Sequence, residues 1–266
     1  MSKKLQRLKE ILTKMESVLI AYSGGVDSTF LLKVARDVLK DKVIAVMANS
    51  LTYPSGEIDQ AEIIAEALGV RYIIIETKEL KNSKFSGNSK DRCYWCKREL
   101  FSQLSYIAKK EGLKYVADGT NFDDTKDYRP GTRAAKEFKV RSPLKEAGFT
   151  KEEIRSLSKK LDLPTWDKPA LACLASRFPY GMKITKKNLT KVDKGEGFLR
   201  KFGISQVRVR HHNKIARIEV PKEKLPKLLE KKTRRQVLSY FKRLGYNYVT
   251  VDLEGYRTGS MNEILK

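Results

Sequence analysis

Apolar and polar positions follow different rhythms in the first two thirds of the chain and in the last third, and the rhythms predict two kinds of domain. Residues 1–15, MSKKLQRLKEILTKM, repeat apolar positions at helical spacing and predict a leading helix. The apolar run Val18-Leu19-Ile20-Ala21 then stops at Ser23-Gly24-Gly25, and Leu31, Val34, Ala35 and Val38 recur on one helical face. That order predicts a strand, a glycine turn and a helix start. Residues 42–49 are continuously apolar, as in a strand buried on both faces, and Ile63, Ile64, Ala67 and Leu68 mark a helix over 56–68 closed by Gly69. Residues 70–77 read as a third strand. Strands alternating with helices of about a dozen residues imply right-handed crossovers and a parallel α/β sheet, whose ligands sit beyond the carboxyl ends of the strands.

Residues 78–92 have turn composition and no period, which predicts a mobile loop delivering Cys93-Tyr94-Trp95-Cys96 to a helix with Leu100, Phe101, Leu104, Ile107 and Ala108 on one face. A strand over 114–118 empties into Asp118-Gly119-Thr120-Asn121-Phe122-Asp123-Asp124, followed by Asp127, Arg129 and Arg133, and is expected at the same crevice as the first turn. Thr150 and Glu153 have capping-box spacing, opening a helix that ends before Pro164. Residues 166–182 hold two prolines and no period and read as a linker over the site. Beyond it come a helix from Thr185 to about Lys201, alternating strands over 206–211 and 214–220, a helical region over 222–244, and a last strand over 246–253. The expected organisation is a parallel-sheet domain over 1–165, a linker and active-site loop over 166–184, and a small α+β domain over 185–266.

Charge and cysteines narrow the functional classes. With 55 Lys and Arg against 32 Asp and Glu, the net charge of +23 draws polyanions and small acidic molecules alike. Lysines alternating with glutamates, as at residues 151–153, read as a solvated face. No apolar run reaches the ~20 residues that span a bilayer, and the N-terminus lacks a signal-peptide core, so a cytoplasmic protein without a membrane partner is expected. Three cysteines do not suggest a disulfide framework there, and the two adjacent histidines, His211 and His212, argue against a Ser/His/Asp triad or a histidine-rich zinc site.

The chemistry concentrates in few segments. Ser23, Gly24, Gly25, Val26, Asp27 and Ser28 form a turn whose backbone N–H groups and helix N-terminus suit phosphate. In this setting SGGVDS resembles the PP-loop of the N-type ATP pyrophosphatases, which adenylate a carbonyl or carboxylate and release pyrophosphate. That resemblance assigns the loop to pyrophosphate, Asp27 to Mg2+, and Asn49 and Ser50 to the adenosine part of ATP. Asp123, Asp124 and Asp127 are further candidates for ATP or metal contacts, with an acidic surface loop as the alternative.

A closer resemblance covers nearly the whole chain. CYWCK, ADGTNFDD, RPG, KPALACLASRFPYG and VRVRHHNKIARIEV together resemble the LarE type of ATP-dependent sulfur transferase, whose substrate is a nicotinic-acid-derived mononucleotide bearing two carboxylates. The resemblance implies an acyl adenylate that sulfur converts to a thiocarboxylate, and a homo-oligomer. It also implies two sulfur routes: sacrifice of Cys173, or a [4Fe–4S] cluster on Cys93, Cys96 and Cys173 with one open iron. A redox pair or half of a zinc site is the generic reading of Cys93 and Cys96. Ser176, Arg177, Arg208 and Arg210 are expected at substrate phosphate or carboxylate, Glu196 at the second substrate site, and Trp95 stacked on a flat ring or packed. A tRNA thiolation enzyme is the alternative function, a non-catalytic nucleotide or iron–sulfur module a third, and the residues do not specify the sulfur donor.

Overall fold

The computed structural model describes residues 3–126, 130–169, 172–257 and 259–265. In chain order its elements are α1 (Lys3–Met15), β1 (Val18–Ala21), α2 (Val26–Leu39), β2 (Val43–Asn49), α3 (Glu57–Ala67), β3 (Arg71–Glu76), α4 (Ser83–Ser86), α5 (Arg92–Lys110) and β4 (Tyr115–Ala117). They continue with α6 (Gly131–Glu137), α7 (Pro143–Glu146), α8 (Lys151–Lys160), α9 (Lys186–Arg200), β5 (Arg208–His212), β6 (Ile215–Glu219), α10 (Leu225–Leu229), α11 (Lys231–Arg243) and β7 (Tyr248–Val251).

The chain divides into two compact units. Unit 1 comprises Met1–Ser50, Ser55–Asn82 and Asp91–Leu171, and unit 2 comprises Leu51–Pro54, Ser83–Lys90 and Ala172–Lys266. Unit 1 is the α/β domain expected from the alternating pattern: four strands in the order β3-β2-β1-β4, every pair parallel. The uninterrupted apolar sequences of β1 and β2 follow from their central places, where Val18, Leu19, Ile20 and Val43–Met47 are buried. Edge strand β3 is half-exposed. The core joins β1 and β2 to Leu8 and Leu12 of α1, Phe30, Leu31 and Leu32 of α2, Phe149 just before α8 and Ile154 within it.

Unit 2 is built on a three-stranded sheet in the order β5-β6-β7, antiparallel between β5 and β6 and parallel between β6 and β7. Its helix α9 begins where the sequence places it, with the Thr185 side chain accepting the Asn188 N–H. α9 packs so close to α11 that a Cβ at Gly195 would lie 3.1 Å from Phe241 Cζ. The helical region over 222–244 is not continuous: Glu230 at ψ 136° separates α10 from α11.

The expected mobile loop over 78–92 is corrected. It contains a 3₁₀ turn, Glu79–Lys81, and the single helical turn α4, and Phe85, Ser86 and Asn88 are buried. Asn88 Nδ2 donates to the carbonyls of Phe178 and Pro179, and the Ile184 N–H donates to the Ser86 carbonyl, so Ser83–Lys90 is an ordered part of unit 2.

Candidate functional site

The Ser23–Ser28 turn joins the carboxyl end of β1 to α2, with Gly25 as the N-cap. Gly24 adopts φ +64°, and a Cβ there would lie 2.8 Å from the Ala61 side chain, so only glycine fits both the backbone and the space. The two serines close the turn: Ser23 Oγ and Ser28 Oγ lie 3.1 Å apart, and Ser28 Oγ donates to the Gly25 carbonyl at 3.2 Å. The first-turn N–H groups of a helix have no intrahelical acceptor, so this turn supplies donors and positive partial charge where an anion binds.

The Asp118–Thr120 loop backs directly onto this turn. A Cβ on Gly119 would lie 3.0 Å from Ser28 N, a close backbone approach that favours glycine. Asp118 is held by the Thr120 N–H, the Thr120 hydroxyl and the Ser142 hydroxyl. Asp124 Oδ2 accepts the Asn121 N–H, and Asp123 Oδ2 accepts the Lys151 N–H at the start of α8. These two carboxylates thus have local structural bonds, whereas Asp127 lies outside the described residues.

Asp27 has one engaged and one open oxygen. Its Oδ2 pairs with Lys151 Nζ at 2.5 Å, while Oδ1 is buried without a hydrogen-bond partner. A buried lone carboxylate oxygen at the mouth of a phosphate turn fits a hard cation such as Mg2+, which takes one or two carboxylates together with substrate phosphate oxygens. Lys168 touches the same turn, its Nζ donating to the Gly24 carbonyl at 3.1 Å and pairing with Glu57 at 2.7 Å. The solvated-face reading of residues 151–153 is therefore corrected for Lys151. Asn49, at the end of β2, donates to Glu76 Oε1 at 2.6 Å, and the Ser50 hydroxyl bonds Glu79.

Cys93 and Cys96 lie near the start of α5, in unit 1, three residues apart on a shared helical face, with Cys93 exposed and Cys96 half-buried. Trp95 packs edge-on against Tyr94 with ring centroids 4.9 Å apart. Cys173 caps the 3₁₀ turn Leu174–Arg177 in unit 2, its Sγ accepting the Ala175 N–H at 3.4 Å. None of the three is joined in a disulfide among the described residues. Among the described residues no group of three or more Cys, His, Asp and Glu side chains is arranged to hold a metal ion.

The arginines of this region are engaged within the protein. Arg177 is 1% exposed and its guanidinium is engaged on every side: Nε and Nη2 donate to Glu196, and Nη1 to the carbonyls of Ala172 and Cys173 and to Ser176 Oγ. It pins the Cys173 turn. Glu196, expected at a substrate site, is fully buried, holding Arg177, Arg200 and the Val209 N–H. Burial opposes its ionisation, yet the Arg177 charge and these hydrogen bonds keep its pKa below the ordinary value. Arg210 forks onto Glu219 at 2.9 and 2.6 Å and also donates to the Ser176 carbonyl. Arg208 lies over the Tyr256 ring at 5.3 Å, and burial, with Arg177 nearby, lowers its pKa to about 10.

Sequence reasoning missed Glu219, Lys151, Lys168 and Glu57. A signal existed for Lys151: a lysine at the first position of a capped helix opposes the helix dipole, so it needs another reason to be there.

Residues 2–103 match the NAD synthase family. Along nearly its whole length the chain is 44% identical to an uncharacterized protein of Synechocystis sp., over 262 residues covering 98% of each chain. It is 41% identical over 257 residues to the pyridinium-3,5-bisthiocarboxylic acid mononucleotide synthase of Lactiplantibacillus plantarum, covering 96% of this chain and 92% of that one. Similarity to one component of the glutamine-hydrolyzing GMP synthase of Saccharolobus solfataricus, at 31% over 166 residues, covers 56% of this chain and 44% of the other.

Proposed function

We propose a reaction for this chain from the premise that it belongs to the LarE-type family of PP-loop enzymes, that of the pyridinium-3,5-bisthiocarboxylic acid mononucleotide synthases. It is an ATP-dependent enzyme. Our reading is that it adenylates a carboxylate of pyridinium-3,5-biscarboxylic acid mononucleotide and replaces one of its oxygens with sulfur. A carboxylate oxygen attacks the α-phosphorus of ATP and pyrophosphate departs. Sulfur then attacks the carbonyl carbon of the acyl adenylate, AMP departs, and a thiocarboxylate remains.

The observation that carries this reading is the Ser23–Ser28 turn, with its orphaned Asp27 oxygen and two lysines in reach. The turn binds the phosphates and orients them for in-line displacement. Asp27 would hold Mg2+, which would supply charge neutralisation on the departing pyrophosphate. Asn49 and Ser50 are the candidates for the adenosine part, and Trp95, Ser176 and Arg208 for substrate contacts.

For the sulfur source we propose Cys93, Cys96 and Cys173, holding a [4Fe–4S] cluster. Support comes from cysteine chemistry alone: three thiols, two of them three residues apart on one helical turn, match the ligand number of a cluster with an open iron.

The test supplies ATP and sulfide to anaerobically reconstituted protein with either the biscarboxylated mononucleotide or bulk tRNA. Thiocarboxylate and pyrophosphate are expected with the mononucleotide, and Asp27→Ala is expected to abolish pyrophosphate release without changing bound iron. Sulfur appearing only in tRNA overturns the substrate assignment. Iron and acid-labile sulfide measured on the same sample decide the route: a wild-type chain without iron, inactivated only by Cys173→Ala, overturns the cluster in favour of a sacrificial cysteine.

A further inference from the structure

Lys151 and Lys168 both place an ammonium group against the Ser23–Ser28 turn. Lys151 occupies the first position of α8, an electrostatically unfavourable place, and its Nζ pairs with Asp27 Oδ2. Lys168 donates to the Gly24 carbonyl at 3.1 Å and pairs with Glu57 at 2.7 Å. Their side chains are 32% and 15% exposed. Two cations thus rest on carboxylates beside one anion-binding turn, Asp27 within the turn and Glu57 at the start of α3.

We propose that Lys151 and Lys168 are the cations that bind the triphosphate, and that Asp27 and Glu57 hold them in place until the nucleotide arrives. This rests on the adenylating reading above and deepens it. A triphosphate brings about four negative charges, far more than the roughly half a unit of positive charge at one helix N-terminus, so additional cations must face it. The ammonium groups move from a carboxylate to phosphate oxygens without leaving the loop, so each keeps a counter-ion. Partly exposed lysine–carboxylate pairs are weak, which makes the exchange easy. The movement of Lys151 also releases the second oxygen of Asp27, leaving its whole carboxylate for the divalent cation that accompanies ATP. As the α–β phosphoanhydride bond breaks, negative charge grows on the pyrophosphate, and preorganised cations lower the cost of that charge.

The assignment separates nucleotides by their phosphate count. Titration calorimetry compares ATP with Mg2+ against AMP, for the wild type and for Lys151→Gln, Lys168→Gln, Lys151→Arg and Lys168→Arg, with far-UV circular dichroism as the folding control. Each glutamine variant is expected to bind ATP about tenfold more weakly or worse while keeping AMP affinity within about twofold. The arginine variants keep the charge and recover most of the ATP affinity. Unchanged ATP affinity in the glutamine variants, or equal losses for ATP and AMP, overturns the assignment. A wild-type chain that binds no ATP refutes the adenylating reading itself, and the lysine roles with it.

Discussion

His211 shows what one buried side chain imposes on the rest of unit 2. It is 2% exposed, with its ring 5.2 Å from Phe178 and its Nδ1 2.9 Å from the Tyr246 hydroxyl. Burial pushes its pKa from 6.5 down to about 4, and the charge of Lys191 acts in the same direction. The unfolded chain takes up this proton below about pH 6.5, whereas the folded chain resists until about pH 4. Stability from a neutral His211 is therefore complete above 6.5 and declines as pH falls towards 4. At ~1.4 kcal/mol per pH unit, the loss across that window reaches about 3 kcal/mol. Urea melts at several pH values should show this decline in the wild type and a shallower one in His211→Phe. Parallel curves would assign the acid sensitivity to other groups. Buried carboxylates with lowered pKa values, such as Glu196, act at more acid pH, since theirs start from 4.5.

At the scale of elements, local grammar was legible and distant partnership was not. The Thr150 and Glu153 spacing announces a capping box, and both halves of it exist: Thr150 Oγ1 accepts the Glu153 N–H, and Glu153 accepts the Thr150 N–H. Thr150→Ala is expected to destabilise the chain by about 1 kcal/mol in chemical denaturation. A larger loss would show that Glu153, which also accepts from Lys4, depends on this cap to hold α1. The strand, glycine turn and helix of the PP-loop were readable for the same reason, since their determinants lie within a few residues. Arg208 and Arg210 were correctly placed on one strand face, but alternation does not tell whether a face meets solvent or another element. In the β5–β6 register Arg208 lies opposite Glu219, and Arg210 reaches that carboxylate diagonally. A buried ion pair of this kind needs both partners in view, and the spacing of one strand shows only half of it. Residues 83–90 failed differently: their contacts are hydrogen bonds to residues 178–184, which leave no periodic apolar trace.

For the whole molecule, the outstanding property is the net charge of +23. Internal pairs, as at Arg177, Arg210 and Lys151, consume one charge of each sign and leave this excess untouched, and it is far larger than two lysines at a phosphate turn require. Two explanations make different predictions. If the field serves capture, it raises the encounter rate of an acidic mononucleotide, and salt suppresses that effect once the screening length drops below about 10 Å. Between about 50 and about 500 mM KCl, kcat/KM should then fall severalfold while kcat, measured with bound substrate, changes little. If the charge only solvates the surface, both constants stay level. Bulk tRNA separates field from site: it should inhibit at low salt through the same field, lose that effect as salt rises, and acquire no sulfur at any salt concentration. Salt-resistant binding of tRNA would require shape or base contacts, and so a recognition surface that general charge does not provide.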